Sequence, residues 1–335
     1  MNTHWVDRFR QPEFEFDGDR LVKVPPARHS TFYVPLTDYR IISVTGPDAH
    51  SFLQGQLSCD LDDVDAQGVQ LGAHCNIKGH MHSLYQIMRA GDQGYWLRTR
   101  SDLAEGALAL LRKYIIFSKA EARLEEHLIG FGLTGPEATE TGDLLSSRFG
   151  FEHLVAVPRP GARRECWFDA RLLPQVLELT EEHASPAERN VWELLEIDAG
   201  IPELAPATVE TFIPQMTNLQ ALGGVSFTKG CYTGQEIVTR LQHRGQLKKP
   251  MYRAEIHDKT APEPGDTLAS AEKENIGQVV RAARIPGGYR LLAVISKEQA
   301  DTQPLYLNST DGPRLELMSL PYELDPELFQ SKRQG

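Results

Sequence analysis

The sequence is poor in cysteine, and its cysteines do not occur at paired spacings. The four are Cys59, Cys75, Cys166 and Cys231, and no Cys-x-x-Cys occurs. Disulfide frameworks are typical of short secreted chains, whereas free thiols are typical of proteins kept in a reducing compartment. In a chain of 335 residues, the cysteine content therefore predicts free thiols and a cytoplasmic protein.

Membrane-targeting features are absent as well. No apolar run in the sequence approaches the roughly 18–20 residues that a membrane helix needs. The stretch from Met1 to Arg20 mixes both charges and lacks the basic-then-apolar layout of a signal peptide. We therefore expect a cytoplasmic location and no membrane partner.

Positive charge is scarce in the chain as a whole. Lysine and arginine number 35 against 46 acids, so the net charge is −11 and the pI is about 5.5. RNA binding would therefore need a local basic patch. Arg240, Arg244, Lys248, Lys249 and Arg253 form such a stretch, with no acid between them. Two interpretations stay open: cations that complement a helix C-terminus, or a site for ligand carboxylates or RNA phosphates.

Common catalytic, nucleotide-binding and zinc-binding motifs are missing too. The chain has no dinucleotide fingerprint and no Gly-x-Ser-x-Gly, and Lys229-Gly230 has the wrong residue order for a phosphate loop. His74, His80 and His82 cluster in one short stretch. No carboxylate or second cysteine completes a zinc set there at a familiar spacing. We interpret this stretch as a polar hairpin.

The hydrophobic periodicity predicts an α+β protein. Residues 40–124 follow the order β-α-β-β-β-α-β, which is typical of helices packed on one face of an antiparallel sheet. A second α/β stretch occupies about 127–200, and its last helix is expected to have Ser185 as N-cap. Residues 205–224 form a long irregular loop, a type of segment that is often functional.

The end of the chain is predicted to be a separate β domain. Four strand-like segments lie between residues 251 and 319, with turns at Pro264-Gly265 and around Gly287. Short strands separated by such turns are typical of a small barrel. We therefore predict two domains, a module at 1–245 and a β-barrel domain at 246–335.

The segment from Thr228 to Glu236 has the chemistry of a reactive cysteine. Thr233 and Glu236 fit a capping box, which predicts a helix that starts at Thr233 and ends at Gly245. Cys231 would then precede a helix N-terminus and follow Lys229, and both features favour a thiolate. The alternative is a buried, inert cysteine in a tight turn.

Trp192 lies on a predicted amphipathic helix, and its residue type allows two interpretations. Most helical tryptophans pack in a core. An indole ring is also a platform on which a flat heterocycle can stack. The local sequence leaves both interpretations open.

Several segments resemble one protein family. The word Lys229-Gly230-Cys231-Tyr232-Thr233-Gly234-Gln235-Glu236 resembles the signature of the YgfZ family, folate-binding proteins related to the T-protein (aminomethyltransferase) of the glycine cleavage system. The blocks at 44–57, 196–202 and 212–219 are similar to that family too. The resemblance implies two interleaved ferredoxin-like α+β units and a C-terminal β-barrel, arranged around a central channel.

The resemblance also implies a cofactor and a set of residues that bind it. The cofactor is tetrahydrofolate, with its flat pterin stacked on aromatic side chains and its glutamate tail held by cations such as Arg244 and Lys248. The implied folate-binding residues are Tyr39, Trp192, Gly230, Tyr232, Gln235, Glu236 and Arg244. Gly230 and Gly234 would let the backbone approach the ligand.

The function implied by the resemblance is support of iron–sulfur enzymes. Such proteins act in a folate-dependent way on radical enzymes that thiolate tRNA, with the signature cysteine, here Cys231, as the reactive thiol and Lys229 as its activating neighbour. The T-protein has an aspartate after its Asn-x-x-Gly hairpin, whereas the stretch 80–84 here has no carboxylate. The resemblance therefore favours an accessory protein. Folate-dependent aminomethyl transfer is the alternative, and direct tRNA contact through the basic stretch is a third interpretation.

Overall fold

The structure is a computed structural model that describes residues 3–91 and 94–330. The chain divides into two compact units, each discontinuous in sequence. Unit 1 comprises Met1–Phe52, Asp62–Gln70 and Gln86–Trp192, and unit 2 comprises Leu53–Leu61, Leu71–Tyr85 and Glu193–Gly335. The domain boundary expected between residues 245 and 246 stays a prediction. The outer ends of the two predicted domains, 1–2 and 331–335, lie outside the described residues.

Helices and strands alternate through most of the chain. The helices are α1 (Thr3–Arg8), α2 (Ala49–Gln56), α3 (Leu61–Gln67), α4 (Ala104–Ile115), α5 (Ala138–Phe149), α6 (Leu173–Glu181), α7 (Arg189–Asp198), α8 (Gln235–Arg244) and α9 (Lys297–Thr302). The strands before residue 100 are β1 (Glu15–Asp17), β2 (Arg20–Lys23), β3 (Phe32–Pro35), β4 (Tyr39–Thr45), β5 (Val69–Cys75), β6 (Met81–Arg89) and β7 (Gly94–Arg100). The later strands are β8 (Glu121–Glu125), β9 (Leu128–Thr134), β10 (Leu154–Arg159), β11 (Arg163–Asp169), β12 (Ser185–Pro186), β13 (Met251–Ile256), β14 (Thr267–Ser270), β15 (Gly277–Ile285), β16 (Gly288–Ile295), β17 (Leu305–Leu307) and β18 (Arg314–Met318).

Unit 1 contains a five-stranded sheet of order β10-β11-β9-β3-β12. Its pairs are antiparallel except β12 with β3, which is parallel. Helix α5 packs on β9, β10 and β11. Alternate strand residues such as Phe131, Cys166 and Phe168 join Val176 and Leu177 of α6 in the buried core. The other face of this sheet carries the buried polar layer described below.

A second five-stranded sheet has the order β5-β6-β7-β4-β8. Strands β7, β4 and β8 lie in unit 1, and β6 enters that unit at Gln86. Helix α4 packs on β8 and β4, with Ala107, Leu108 and Leu111 buried along its apolar stripe. Spacings of three and four residues place these side chains on one helix face.

Unit 2 contains the β5–β6 hairpin up to Tyr85 and a closed barrel. The barrel has the strand order β13-β16-β15-β14-β17-β18. Residues that alternate along the strands, such as Leu268, Val279, Ala293 and Ile295, fill its interior because successive strand side chains point to opposite faces. The two sheets with their helices and the barrel confirm the predicted α+β class.

The prediction that Ser185 is a helix N-cap is wrong. Ser185 and Pro186 form β12, which pairs with β3. The Ser185 hydroxyl accepts hydrogen bonds from the backbone N–H groups of Arg28 and His29, and α7 begins at Arg189. The hydroxyl oxygen binds donors more than 150 residues away in sequence, which local spacing cannot reveal.

Candidate functional site

Cys231 lies on an exposed loop of unit 2, whereas Cys59, Cys75 and Cys166 are buried. Burial raises the pKa of the Cys75 thiol to about 12 and raises that of the Cys166 thiol as well, because a thiolate is poorly solvated in an apolar interior. A thiol reagent added to the folded protein therefore meets Cys231 first.

Lys229 holds this loop in place through hydrogen bonds of its ammonium group. Its Nζ donates hydrogen bonds to the carbonyl oxygens of Leu57, at 2.8 Å, and Cys59, at 2.6 Å. The ammonium also lies 5.2 Å from the centroid of the Tyr232 ring, within cation–π range. Lys229 is thus buried as an anchor of the loop, and its effect on the Cys231 thiol stays a prediction.

The predicted capping box at the start of α8 is wrong. The helix begins at Gln235, and its N-cap is Gly234, with φ 84° and no side-chain capping bond. A Cβ atom on Gly234 would lie 2.5 Å from the carbonyl oxygen of Asn76, so the chain approaches too closely there for any other residue. The C-cap at Gly245 is as predicted and Cys231 lies three residues before the N-cap.

The close approach at Gly234 brings the Cys231 loop against the turn between β5 and β6. A Cβ on Gly234 would also lie 3.0 Å from the Cβ of Cys75, and one on Gly79 would lie 3.1 Å from that of Ile237. Three residues of chain span at most about 11 Å. The Cys231 backbone therefore lies within that distance of Gly234, which packs against the hairpin turn.

A carboxylate from a distant loop reaches the same turn. Oε1 of Glu210 accepts a hydrogen bond from Nδ2 of Asn76 at 3.1 Å and lies 3.0 Å from Nδ1 of His82. The Glu210 backbone has φ 58°, an uncommon conformation for a residue with a side chain. It is held there because its N–H donates to the Met81 carbonyl, and the Met81 N–H donates to that of Phe212.

His74 lies beside this group and is neutral. It is 1% exposed, and its ring centroid is 6.1 Å from that of His82. Burial, and secondarily the neighbouring His82, lowers the pKa of His74 to about 4, because a charged imidazole is disfavoured in an apolar environment. Among residues 3–91 and 94–330, no three acidic, histidine or cysteine side chains form a group that could hold a metal ion. The interpretation of this stretch as a polar hairpin stays a prediction.

Unit 1 contains the two aromatic residues predicted for folate, within a buried polar layer between its sheets. Arg163, Glu165 and Trp167 alternate along β11 on the face opposite its apolar core. Gly130 and Gly132 on β9 leave room for two indole rings: a Cβ on Gly130 would overlap Trp167, and one on Gly132 would overlap Trp192. Both tryptophans are fully buried.

Charged side chains of both sheets meet in this layer. Oε1 of Glu165 lies 3.1 Å from Nε of Arg98, on β7, and accepts a hydrogen bond from Nε1 of Trp167 at 2.8 Å. Oε2 of Glu165 lies 3.6 Å from Nε of Arg159. Arg159 also donates to Oε1 of Gln86. All of these polar side chains are less than 10% exposed, so desolvation of the three charges has to be offset by their mutual contacts.

Tyr39 and Trp192 both contact arginines of this layer. The guanidinium carbon of Arg98 is 4.0 Å from the Tyr39 ring centroid, and that of Arg189 is 5.2 Å from it. The guanidinium carbon of Arg163 lies 4.8 Å from the Trp192 ring centroid. Any flat ligand that stacks on either ring therefore has to replace a guanidinium group. No local motif marked Arg98, Arg159 or Arg163, which in the sequence are only charged residues within predicted strands.

The other predicted ligand residues belong to unit 2. Gly230 is exposed, and Gln235 and Glu236 form the first turn of α8. Tyr232 is buried, and burial raises the pKa of its hydroxyl. Arg244 lies exposed in the last turn of α8. Tyr39 and Trp192 are thus gathered in unit 1, and Cys231 with its neighbours in unit 2.

The basic stretch at 240–253 is partly neutralised. Nη1 of Arg253 lies 3.2 Å from Oδ1 of Asp198. Arg240, Arg244 and Lys248 are exposed, and within the described part of the chain none of them forms an ion pair. Exposed cations in the second half of α8 and just after its end suit a helix C-terminus and an anionic ligand equally. Both interpretations of this stretch stay open.

The fold is that of the glycine cleavage T-protein. The structure matches aminomethyltransferase T of the glycine cleavage system from Bartonella henselae with a TM-score of 0.71, at 14% identity, over 96% of this chain and 97% of that one. A heterotetrameric sarcosine oxidase from Corynebacterium sp. U-96 matches half of the chain at 11% identity, and its TM-score of 0.31 is too low to support a shared fold. No family model matches the sequence.

None of the helices in the described residues combines the length and the apolar character needed to cross a membrane. This agrees with the absence of long apolar runs from the sequence.

Proposed function

We propose that this protein binds tetrahydrofolate and supports iron–sulfur enzymes, and through them tRNA thiolation, with Cys231 as the reactive thiol. One observation carries the proposal: in a chain with the T-protein fold, the cysteine of the family-like signature is the one that is exposed, while the other three are buried. A thiol that acts on a partner has to be reachable. Iron–sulfur enzymes that thiolate tRNA are the partners in this proposal.

The folate half of the proposal rests on Tyr39 and Trp192. Both rings lie in one buried layer that is rich in guanidinium groups, and a pterin is a flat ring that can take the place of such a group against an aromatic face. Arginine side chains released from the rings remain suited to carboxylates, which they bind in a fork geometry. Arg244 stays a proposed ligand of the glutamate tail.

Trp192→Phe is expected to weaken tetrahydrofolate binding by roughly two- to fivefold, because the smaller ring loses part of a stacking contribution of roughly 0.5–1.5 kcal/mol. Calorimetric titration measures the change. Phenylalanine is preferable to alanine here, since truncating a fully buried tryptophan to alanine costs about 3–5 kcal/mol of stability.

Trp167→Phe is the matched control. Trp167 is buried against Gly130 of β9, as Trp192 is against Gly132 of β9, so the two variants lose a similar amount of packing. Equal weakening in both would show that Trp192 acts only through stability. Absence of tetrahydrofolate binding by the unaltered protein would remove the folate half of the proposal.

A second function, folate-dependent aminomethyl transfer, is favoured by one observation. The stretch 80–84 has no carboxylate, but Glu210 places one against Asn76 and His82 of the hairpin. A carboxylate beside an imidazole is a common arrangement for moving a proton. Glu210 would be the acid–base group of such a reaction.

The two functions differ in what Glu210→Gln does. The alternative predicts turnover of an aminomethyl donor in the presence of tetrahydrofolate, and a loss of at least about 100-fold in the Glu210→Gln variant because a general acid–base group contributes about 10²–10⁴-fold. We expect no turnover by the unaltered protein. Release of ammonia from the aminomethyl donor measures it, and turnover that Glu210→Gln removes would favour the transferase over the accessory function.

A further inference from the structure

A cavity of about 360 Å³ lies in unit 2, against the outer wall of the barrel. Thr267 of β14 pairs with Gln278 of β15, which pairs in turn with Val294 of β16. Their strand neighbours Leu268, Val279 and Ala293 point into the barrel core, so alternation turns Thr267, Gln278 and Val294 outward. These three form a row across adjacent strands and line the cavity.

The opposite wall of the cavity comes from the irregular loop that the sequence singled out as functional. Phe212 and Met216 of this loop line the cavity. The loop is fixed in place because Asn218 exchanges two hydrogen bonds with the backbone of Met251, donating to its carbonyl at 2.8 Å and accepting from its N–H at 3.2 Å. Both walls are thus held by hydrogen-bonded backbone, and the cavity is preformed, as small-molecule sites usually are.

The charge of the residues that line the cavity is positive. Lys249 is a lining residue, and no lining residue within the described part of the chain is acidic. The backbone on both sides of Lys249 is fixed: the carbonyl of Lys248 accepts from Lys297 N–H, and that of Pro250 accepts from Ile295 N–H. In a protein of net charge −11, a lysine that lines a cavity whose described lining residues include no acid is suited to an anion.

The remaining lining residues describe the rest of the ligand. Phe212 and Val294 are almost fully buried and form an apolar surface. Thr267, Asn275 and Gln278 are lining residues that provide a hydroxyl and two amides. The space fits a molecule with an apolar body, a group that forms hydrogen bonds and one anionic end.

We propose that this cavity binds a small organic carboxylate of the N-acyl amino acid type, with its carboxylate on Lys249, its amide on Gln278 and its apolar body against Phe212 and Val294. The proposal does not depend on the function proposed above, because every residue in it belongs to unit 2 and none is among the predicted folate or thiol residues. It assigns a binding role to the loop at 205–224.

N-benzoylglycine is the probe, and its amide, N-benzoylglycinamide, is the uncharged control ligand. For a ligand of this size we expect a Kd on the order of 1 mM, measured on the full chain by NMR titration at constant ionic strength. The acid is expected to bind about tenfold more tightly than the amide because an ammonium–carboxylate pair is a charge-assisted hydrogen bond.

Lys249→Gln is expected to remove this preference, so that the variant binds the acid and the amide equally. Lys259→Gln is the matched control, since Lys259 is also a lysine of unit 2, is exposed and does not line the cavity. It should bind as the unaltered protein does. The proposal would be overturned by any of three results. The unaltered protein binds the two ligands equally, it binds neither at concentrations up to about 20 mM, which is twenty times the expected Kd, or the two lysine variants have equal effects.

Discussion

Replacing Cys231 with alanine is expected to abolish support of iron–sulfur enzymes while the protein stays folded. In cells that lack their own copy, the variant should leave tRNA thiolation at the level seen with no protein at all. The side chain is exposed, so its truncation should change the free energy of unfolding by no more than about 0.5 kcal/mol. Mass spectrometry of thiolated nucleosides in bulk tRNA gives the first quantity, and denaturant unfolding gives the second.

Two further variants decide whether the thiol itself is needed. Cys231→Ser keeps nearly the same size and removes the thiolate, so it should fail as completely as Cys231→Ala. Thr228→Ala, an exposed position in the same loop, should retain full support.

Before complementation, an alkylating reagent should label one thiol in the folded protein and all four after denaturation. Full tRNA thiolation with Cys231→Ala would remove the reactive role of this residue.

Replacing Glu165 with glutamine is expected to lower the free energy of unfolding by about 3–5 kcal/mol, the usual cost of removing one partner from a buried ion pair. Glutamine has nearly the same shape and retains an oxygen that can accept from Trp167. The loss therefore arises from charge: Arg98 and Arg159, each less than 10% exposed, no longer face the carboxylate that lies 3.1 Å and 3.6 Å from them.

Urea unfolding measures this effect, and an exposed pair provides the comparison. Glu121 and Arg123 form an ion pair whose side chains are more than half exposed. Glu121→Gln should leave the unfolding midpoint unchanged, because solvent screens such pairs. Combining Glu165→Gln with Arg98→Met should recover part of the loss, since it removes one of the uncompensated charges. A loss below about 1 kcal/mol for Glu165→Gln would mean that the layer is stabilised in some other way than by charge pairing.

Several features could be predicted from the sequence because they depend on local chemistry. The apolar pattern predicted the order β-α-β-β-β-α-β over residues 40–124, and β4 to β8 with α2 and α4 follow that order apart from the additional helix α3, since strands and helices have different side-chain periods. Gly245 was predicted as a helix end from its conformational freedom alone. Cys231 was singled out by its neighbours in the chain, and its exposure agrees with a reactive role.

Other local predictions failed where tertiary contacts satisfied the same groups. Ser185 was expected to cap a helix, but its hydroxyl accepts from Arg28 and His29 of a distant segment. Thr233 was expected to begin α8, but the approach of Gly234 to Asn76 moves the start of the helix to Gln235. Short strands such as β14 and β17 have too few residues for the two-residue alternation of a strand to be recognised in the sequence.

By itself, the sequence determined the fold class and the order of most strands and helices. Only the tertiary structure decided which distant side chains share a site. It placed the carboxylate of Glu210 on a hairpin more than 120 residues earlier in the chain, and it gathered arginines from β7, β11 and α7 around Tyr39 and Trp192. The physical reason is that periodicity reports which face of an element is buried, whereas the partners on that face depend on how the elements pack.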